Sequence, residues 1–540
     1  MNVSLILIIL LIGAFVTYFA GDKLASKVAL FFSLAALGCS IVLLNHFYAG
    51  ENIGLITTWI TKPNISFALN ADGLGIAMLL LTVALTPIII FSSFGNEYKN
   101  AKGFYALILF MAFAMTGTFL AADGLLYYIF WELALIPIYF IALIWGNGDA
   151  EERRKAVVKF FIYTLAGSLF MLIAFIYLYQ KAGTFLIEDL YKLNLSASEQ
   201  LWIFLAFFLA YAIKIPIIPF HTWQANVYQK APTVGTMLLS GIMLKMGLYS
   251  VIRWQLPIAP LAAKEYMNIF IALGIAGVIY GSIVALRQRD LKKLLAYSSL
   301  AHVGLIAAGT YTLTIDGLRG AVLQMIAHGF VVVGLFFAGE VIFRRFETRE
   351  ISELGGIRTQ SPKFTSMFLI LVLASVALPG TFNFVGEFTV LYSLSQINIW
   401  FAVLGGTTII LGAYYMLKMF QNVMLGETNS KTFADVSVNE GISFVVIIAV
   451  LILFGFYPKP ITDLITPSLE TILNVINKNC LLYTSTSPRD QRGSRMPSFN
   501  RFYPSKICQC SRNFQNAVPG SDRQSQFMQD FFQKFSICFG

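Results

Sequence analysis

Charge is scarce in this sequence. Only 12% of its 540 residues are Asp, Glu, Lys or Arg, while 57% are hydrophobic. A soluble globular domain carries about a quarter charged residues, so that class is excluded. Histidine is scarce too, with four in the chain, and the five cysteines form no cluster. Cys39 lies alone in the apolar body, and Cys480, Cys508, Cys510 and Cys538 match no metal-ligand spacing. There is no dinucleotide fingerprint, no Walker loop and no cysteine run for iron–sulfur ligation. The polypeptide alone therefore neither oxidises NADH nor hydrolyses ATP, and any work it does draws on energy supplied elsewhere.

What is abundant is the apolar run of roughly 20 residues, each long enough to cross hydrocarbon as a helix. These runs lack the period-2 alternation of a membrane barrel, which leaves an all-α polytopic bundle. Fourteen spans are predicted near 3–20, 28–48, 72–94, 103–121, 123–145, 156–180, 199–219, 231–253, 265–287, 291–310, 316–343, 363–395, 400–424 and 440–458. The first stretch, Val3–Tyr18, lacks a basic n-region and a cleavage site, so it reads as a retained helix. Loops after odd-numbered spans are rich in basic residues, among them Lys23, Lys99, Lys102, Arg153, Arg154, Arg287, Lys292, Arg344 and Arg345. Loops after even-numbered spans hold few, such as Lys62, Lys181, Lys192 and Lys264. The bias of Lys and Arg towards the cytoplasm then places odd loops inside and both termini outside. The net charge of +10 follows from these loops and from a basic C-terminal tail, with no nucleic acid implied.

Two spans are interrupted. Pro216 and Pro219 break span 7 just after Lys214, and Pro379 with Gly380 breaks span 12 just before Glu387. Proline removes an amide donor and clashes with the preceding turn. Such backbone survives at membrane depth only inside protein or beside water. Broken helices five spans apart are the mark of an inverted-repeat transporter. Residues 1–102 would hold spans 1–3, 103–253 the first repeat (spans 4–8), 265–424 the second (spans 9–13), and 425–478 span 14 and its end. At residues 479–540 Ser, Arg, Gln, Pro and Asn replace the apolar runs, so disorder is expected. Within that tail LLYTSTSPRD resembles a translated sequencing adapter, and the tail is read as non-native and given no function.

Six titratable residues lie at mid-span depth: Glu132, Lys214, Lys245, His302, His328 and Glu387. A charge at the bilayer centre costs roughly 2.5–3.5 kcal/mol on insertion scales. For each residue the plain reading is a polar group satisfied by a neighbouring helix. A series of acid, lysine and histidine at shared depth favours proton movement over that reading. Pro137, five residues after Glu132, should loosen its helix. Gly241 and Gly247 should let another helix approach Lys245. Asp72, Asp123, Asp290 and Asp316 read as N-caps, Glu340 and Arg344 as a surface pair, His221 as a loop contact, and Lys418 as a snorkelling side chain.

The motifs FWELALIPIYF, KFFIYTLAGS, AYAIKIPIIPFHTWQANVYQKAPTVGTMLLSGIMLKMGLYSVIRW, DLKKLLAYSSLAHVG, QMIAHGF and LPGTFNFVGEF give the chain its family. It resembles the antiporter-like membrane subunits of respiratory complex I, related to Mrp-type sodium/proton antiporters. An acid at Glu387, where the L and N branches carry lysine, and an end after span 14 without a long lateral helix point to the M branch. The resemblance implies proton translocation coupled to quinone reduction elsewhere, with Glu132 as the acid of span 5, Lys214 as the lysine of broken span 7, and Lys245 as the connecting lysine. His302 and His328 would be the central relay and Glu387 the terminal group. It also implies that this chain holds no cofactor or metal, with NADH, FMN, Fe–S clusters and quinone in partner subunits, and L and N subunits beside it in a bacterial plasma membrane. In the implied mechanism Glu132 pairs with Lys214 in one state and releases it in another, sending a proton through Lys245 and the histidines to Glu387. An Mrp-type antiporter or membrane-bound hydrogenase subunit is the alternative.

Overall fold

A computed structural model of the chain describes residues 2–427 and 432–484. Helices dominate because a backbone N–H or C=O in hydrocarbon has no water to bond, and each segment must close its own hydrogen bonds. Eleven of the described helices are long and apolar enough to cross a bilayer, and they correspond to spans 2–9, 11, 13 and 14. The other three expected spans are helical but do not qualify by length and composition alone. Span 1 is the 16-residue helix Ser4–Phe19. Span 10, Leu291–Thr310, opens on Lys292 and Lys293. Span 12 is split into Pro362–Ser375 and Phe382–Ile397.

The centre of the bundle is formed by spans 8 and 11. The most apolar windows of Thr233–Ile258 and Ile315–Phe346 are 100% buried, against 28% for spans 2, 13 and 14. Any polar group on span 8 or 11 therefore faces protein, not lipid, and must find its partners there.

Both interruptions occur where the prolines place them. Span 7 runs Ala197–Lys214 and stops. The carbonyl of Ile213, left over at the break, accepts from the Trp223 indole Nε1 at 2.9 Å. At the other break the Leu378 carbonyl takes the Thr381 hydroxyl at 2.7 Å. Span 14, Val438–Phe456, closes over that break so tightly that a Cβ on Gly455 would lie 2.3 Å from the Gly380 carbonyl oxygen. Span 14 thus covers the second break at Gly380, while Leu378 and Pro379 beside it, and Pro219 at the first break, stay exposed. Span 5 is interrupted as well, into Gly124–Leu133 and Leu135–Ile144, where Pro137 clashes with the carbonyl four residues back.

Three features depart from the expectation. The bundle is not purely helical, since Leu55–Ile60 and Ile65–Leu69 pair as an antiparallel hairpin. Its second strand docks on the start of span 5, with Ser66 N donating to Asp123 at 3.1 Å. The apolar body does not end with span 14, because Lys459–Thr484 forms a further 26-residue helix. That helix lies across the outer ends of other spans, meeting Arg319 through Thr466 at 3.2 Å and Tyr191 through Asn479 at 3.0 Å. Its last residues, Asn479–Thr484, fall within the segment expected to be disordered, and the remainder of that tail lies outside the described residues. Asp316 is not an N-cap: Thr314 caps span 11, accepting from Gly317 N. Asp72, Asp123 and Asp290 do cap their helices.

Candidate functional site

Span 8 holds Lys245 in an unusual helix. Two π-helical segments, Leu239–Met243 and Val251–Gln255, bracket the α-helical turn Leu244–Ser250. A π turn adds one residue to a helical turn and shifts every later side chain around the axis. Lys245 therefore follows Ser240 on one face, five residues on, and its Nζ donates to the Ser240 carbonyl at 2.5 Å. The same Nζ lies 2.8 Å from Nδ1 of His328 on span 11. The approach of spans 8 and 11 depends on absent side chains, since a Cβ on Gly241 would meet Val333 at 2.8 Å.

From His328 the contacts run on to span 12. The rings of His328 and His302 are 5.9 Å apart between centroids. His302 Nδ1 lies 2.8 Å from the Glu387 carboxylate. Gln324, one turn from His328 on span 11, donates to the same carboxylate oxygen at 2.9 Å. Gly386 makes room for Gln324, because a Cβ there would lie 2.6 Å from its side-chain Oε1 and 2.7 Å from its backbone nitrogen. Lys245, His328, His302, Gln324 and Glu387 are each at most 4% exposed. They form two bonded groups, Lys245–His328 and His302–Glu387–Gln324, brought into one line by the neighbouring histidine rings across spans 8, 11, 10 and 12.

Glu132 and Lys214 form a second group, linked differently. Lys214 Nζ sits 4.8 Å from the Trp131 ring centroid, a cation–π distance. Neither that Nζ nor Glu132 Oε1 has a hydrogen-bond partner among the described residues. The two groups remain within electrostatic reach, and Ser168 faces Glu132. Span 8 meets this region at Gly247, where a Cβ would lie 2.5 Å from Ile215, the neighbour of Lys214. Thus the structure gathers four of the six expected residues into one line and sets the other two beside it without a direct bond.

Several buried polar atoms along this line have no protein partner among the described residues. They include His302 Nε2, His328 Nε2, Glu387 Oε2, Gln324 Oε1 and both side-chain polar atoms of Asn383. Asn383 is fully buried one turn before Glu387. Buried polar atoms that lack a protein partner are commonly satisfied by ordered water. Trp131, Ser168, Gln324 and Asn383 were not singled out in the sequence. Gln324 and Asn383 could have been found as amides at membrane depth, whereas Trp131 carries no signal of its own. Among the described residues no group of three or more His, Cys, Asp or Glu is arranged to hold a metal ion.

Of the remaining titratable groups, His221 packs edge-on against Tyr280, 4.7 Å between rings. Lys418 is exposed, with its Nζ 5.5 Å from the Tyr414 ring centroid. Glu340 does pair with Arg344, at 3.5 Å.

Residues 121–412, which contain all six groups, match the family model described as NADH:quinone oxidoreductase/Mrp antiporter, TM. The chain is 37% identical over 462 residues to "NADH-quinone oxidoreductase subunit M" of Rickettsia prowazekii, covering 84% of this chain and 93% of that protein. It is 37% identical over 446 residues to "NADH-ubiquinone oxidoreductase chain 4" of Metridium senile, covering 81% and 90%. Among solved structures it is similar to a chain of respiratory complex I from Thermus thermophilus, with TM-score 0.82, 27% identity, and 88% and 99% coverage.

Proposed function

The chain belongs to the family of NADH:quinone oxidoreductase and Mrp antiporter membrane subunits, and we propose that its six buried titratable residues form the proton path of a complex I subunit M. As such a subunit it spans the membrane many times and takes part in a proton-translocating NADH–quinone oxidoreductase. The bacterial plasma membrane is its natural setting. Subunits of the L and N type are the expected neighbours, with NADH, flavin, iron–sulfur clusters and quinone handled by other chains of the complex.

The single observation that carries the reading is the bonded series Lys245–His328, then His302–Glu387, at 2.8 Å each, buried at the centre of the bundle. Imidazole binds and releases protons near working pH and offers two nitrogens, so it can accept on one side and donate on the other. Lys245 is the junction between the two halves. On the first side Lys214 has two alternative environments within reach, the Glu132 carboxylate and the Trp131 ring face. A proton held by Lys214 while paired with Glu132 would be passed towards Lys245 once the pair opens, and Glu387 would be the last station before the outer side. Quinone reduction in a neighbouring arm would drive the opening and closing. Spans 5 and 7 carry the first pair and spans 10 and 12 the second, five spans on, as an inverted repeat requires.

The Mrp reading shares fold and residues. Relatives at 36–38% identity that bear complex I names favour the oxidoreductase. In an assembled complex, Glu132→Gln should abolish NADH-driven proton pumping while leaving assembly intact. A normal ratio of protons pumped to electrons transferred in that variant would remove Glu132 from the path.

A further inference from the structure

The path described above has a middle and an outer end but no group that loads it from the cytoplasmic side. Glu340 lies near the cytoplasmic end of span 11, 12 residues from His328, and Thr233 opens span 8, 12 residues before Lys245. The two helices run antiparallel, so both separations are about 18 Å. The Thr233 hydroxyl donates to the Glu340 carboxylate. Beside that contact is a cavity of about 10 Å³, lined by Thr233, Lys292, Phe336, Gly339, Glu340 and Arg349. That is room for about one water. Lys292 closes its floor, its Nζ donating to the Ala231 carbonyl at 2.7 Å.

Between Thr233 and Lys245 the buried face of span 8 presents two more hydroxyls, Thr236 and Ser240, both 0% exposed. The Ser240 hydroxyl donates to the Thr236 carbonyl at 2.7 Å, and the Thr236 hydroxyl to the Tyr228 carbonyl at 3.0 Å. Positions 233, 236 and 240 follow helical spacing. The π turn Leu239–Met243 then brings Lys245, instead of Leu244, into line with them. An ordinary α-helix would turn the lysine away from these hydroxyls. A functional role explains why the helix keeps this irregular turn.

We infer that Glu340 is the cytoplasmic proton-loading group, and that Thr233, Thr236 and Ser240, with water between them, carry its proton to Lys245. The inference rests on the proton-path reading above. In the step itself the O–H bond of protonated Glu340 breaks, the proton shifts through the hydroxyls and water, and an N–H bond forms on the neutral amine of Lys245. Glu340 is left as a carboxylate, reprotonated from the cytoplasm. In the structure each hydroxyl hydrogen is turned to a carbonyl or to the Glu340 carboxylate, so conduction requires them to swing towards the next oxygen. Glu340 also stands 3.5 Å from Arg344 and 3.9 Å from Arg349, so the competing role is an arginine clamp at the membrane surface.

The experiment uses the assembled complex in inside-out vesicles, with proton uptake and NADH oxidation measured together and assembly checked by copurification. Glu340→Gln should slow coupled turnover about tenfold, within the range for a lost proton-transfer group. In Glu340→Ala, which vacates the carboxylate's place, millimolar formate on the cytoplasmic face should restore turnover and leave the unsubstituted complex unchanged. Ser240→Ala and Thr236→Val, small changes that fold readily, should slow pumping with no formate rescue. Slow turnover in Glu340→Ala that formate cannot lift makes Glu340 a clamp and overturns the inference. Normal pumping in Glu340→Gln and Ser240→Ala, with pumping lost in Glu132→Gln, sinks this loading path alone. Normal pumping in Glu132→Gln as well sinks the proton-path reading beneath it.

Discussion

The two halves of this molecule hold similar pairs in opposite conditions. In the second half His302 and Glu387 are bonded at 2.8 Å, and Gln324 donates to the same carboxylate oxygen. In the first half Glu132 and Lys214 are near each other but unbonded, with the lysine resting on an aromatic face. An indole ring offers a cation about 2 kcal/mol when desolvated. A hydrogen bond to a charged group contributes about 1.5–3 kcal/mol. The first pair can therefore exchange ring for carboxylate at small net cost, while the second must break a stronger set of bonds to move. On the proposed path the mobile element would then be on the Lys214 side, and Lys245, bonded to the second half and packed near the first, would be the point of coupling.

Lys245 offers the sharpest way to break the comparison. Lys245→Ala removes the junction and should lower coupled proton pumping at least about 100-fold, judged by typical proton-transfer contributions, in vesicles of an assembled complex. Pumping that persists would mean the halves work separately. His302→Ala should come next: it leaves the Glu387 carboxylate buried without its imidazole and should cost about 3 kcal/mol, read as earlier thermal unfolding of the purified complex. Gln324→Leu, which takes one donor from the same carboxylate, should cost about 1–2 kcal/mol and lower the pumping rate more than it lowers assembly. Trp131→Phe, which keeps an aromatic face and most of the packing, should be the mildest for stability, at about 1 kcal/mol, with Lys214 pushed towards Glu132. A decisive mark would be a difference spectrum in the carboxyl infrared region at Glu132 only. Equal stability losses from His302→Ala and Trp131→Phe would erase the distinction between a closed and an open half.

Much of the site was legible before any coordinates. The five-span spacing of the proline breaks, the depth of the two lysines and the two acids, and the small residues flanking Lys245 all carry direct physical signals. The hairpin has a local signature too, LITTWI and ISFAL around a Lys-Pro-Asn turn, but strands this short stand out little beside apolar runs of about 20 residues. The helix Lys459–Thr484 fell between categories, since it is amphipathic and carries Pro467, and so does not read as a crossing helix. The π turns around Lys245 were not legible. Their residues have ordinary helix chemistry, and the extra residue per turn becomes favourable only when neighbouring helices take up the displaced groups. Glu340 was read as the partner of Arg344 because both lie four residues apart on one helix. Its bond to Thr233, 107 residues away, has no local signature.

By itself the sequence determined which segments leave water and which charged residues go with them, because each run of about 20 apolar residues partitions into hydrocarbon on its own composition. It also determined where the helices break, since proline acts within one turn. Only the tertiary structure decided who meets whom. Lys245 and His328 are 83 residues apart in the chain, and His302 and Glu387 are 85 apart. Their contacts depend on helix rotation and on backbones brought close at Gly241, Gly329 and Gly386. Between helices in lipid the selection comes from close packing and polar pairing, as the tails around them are as apolar as leucine.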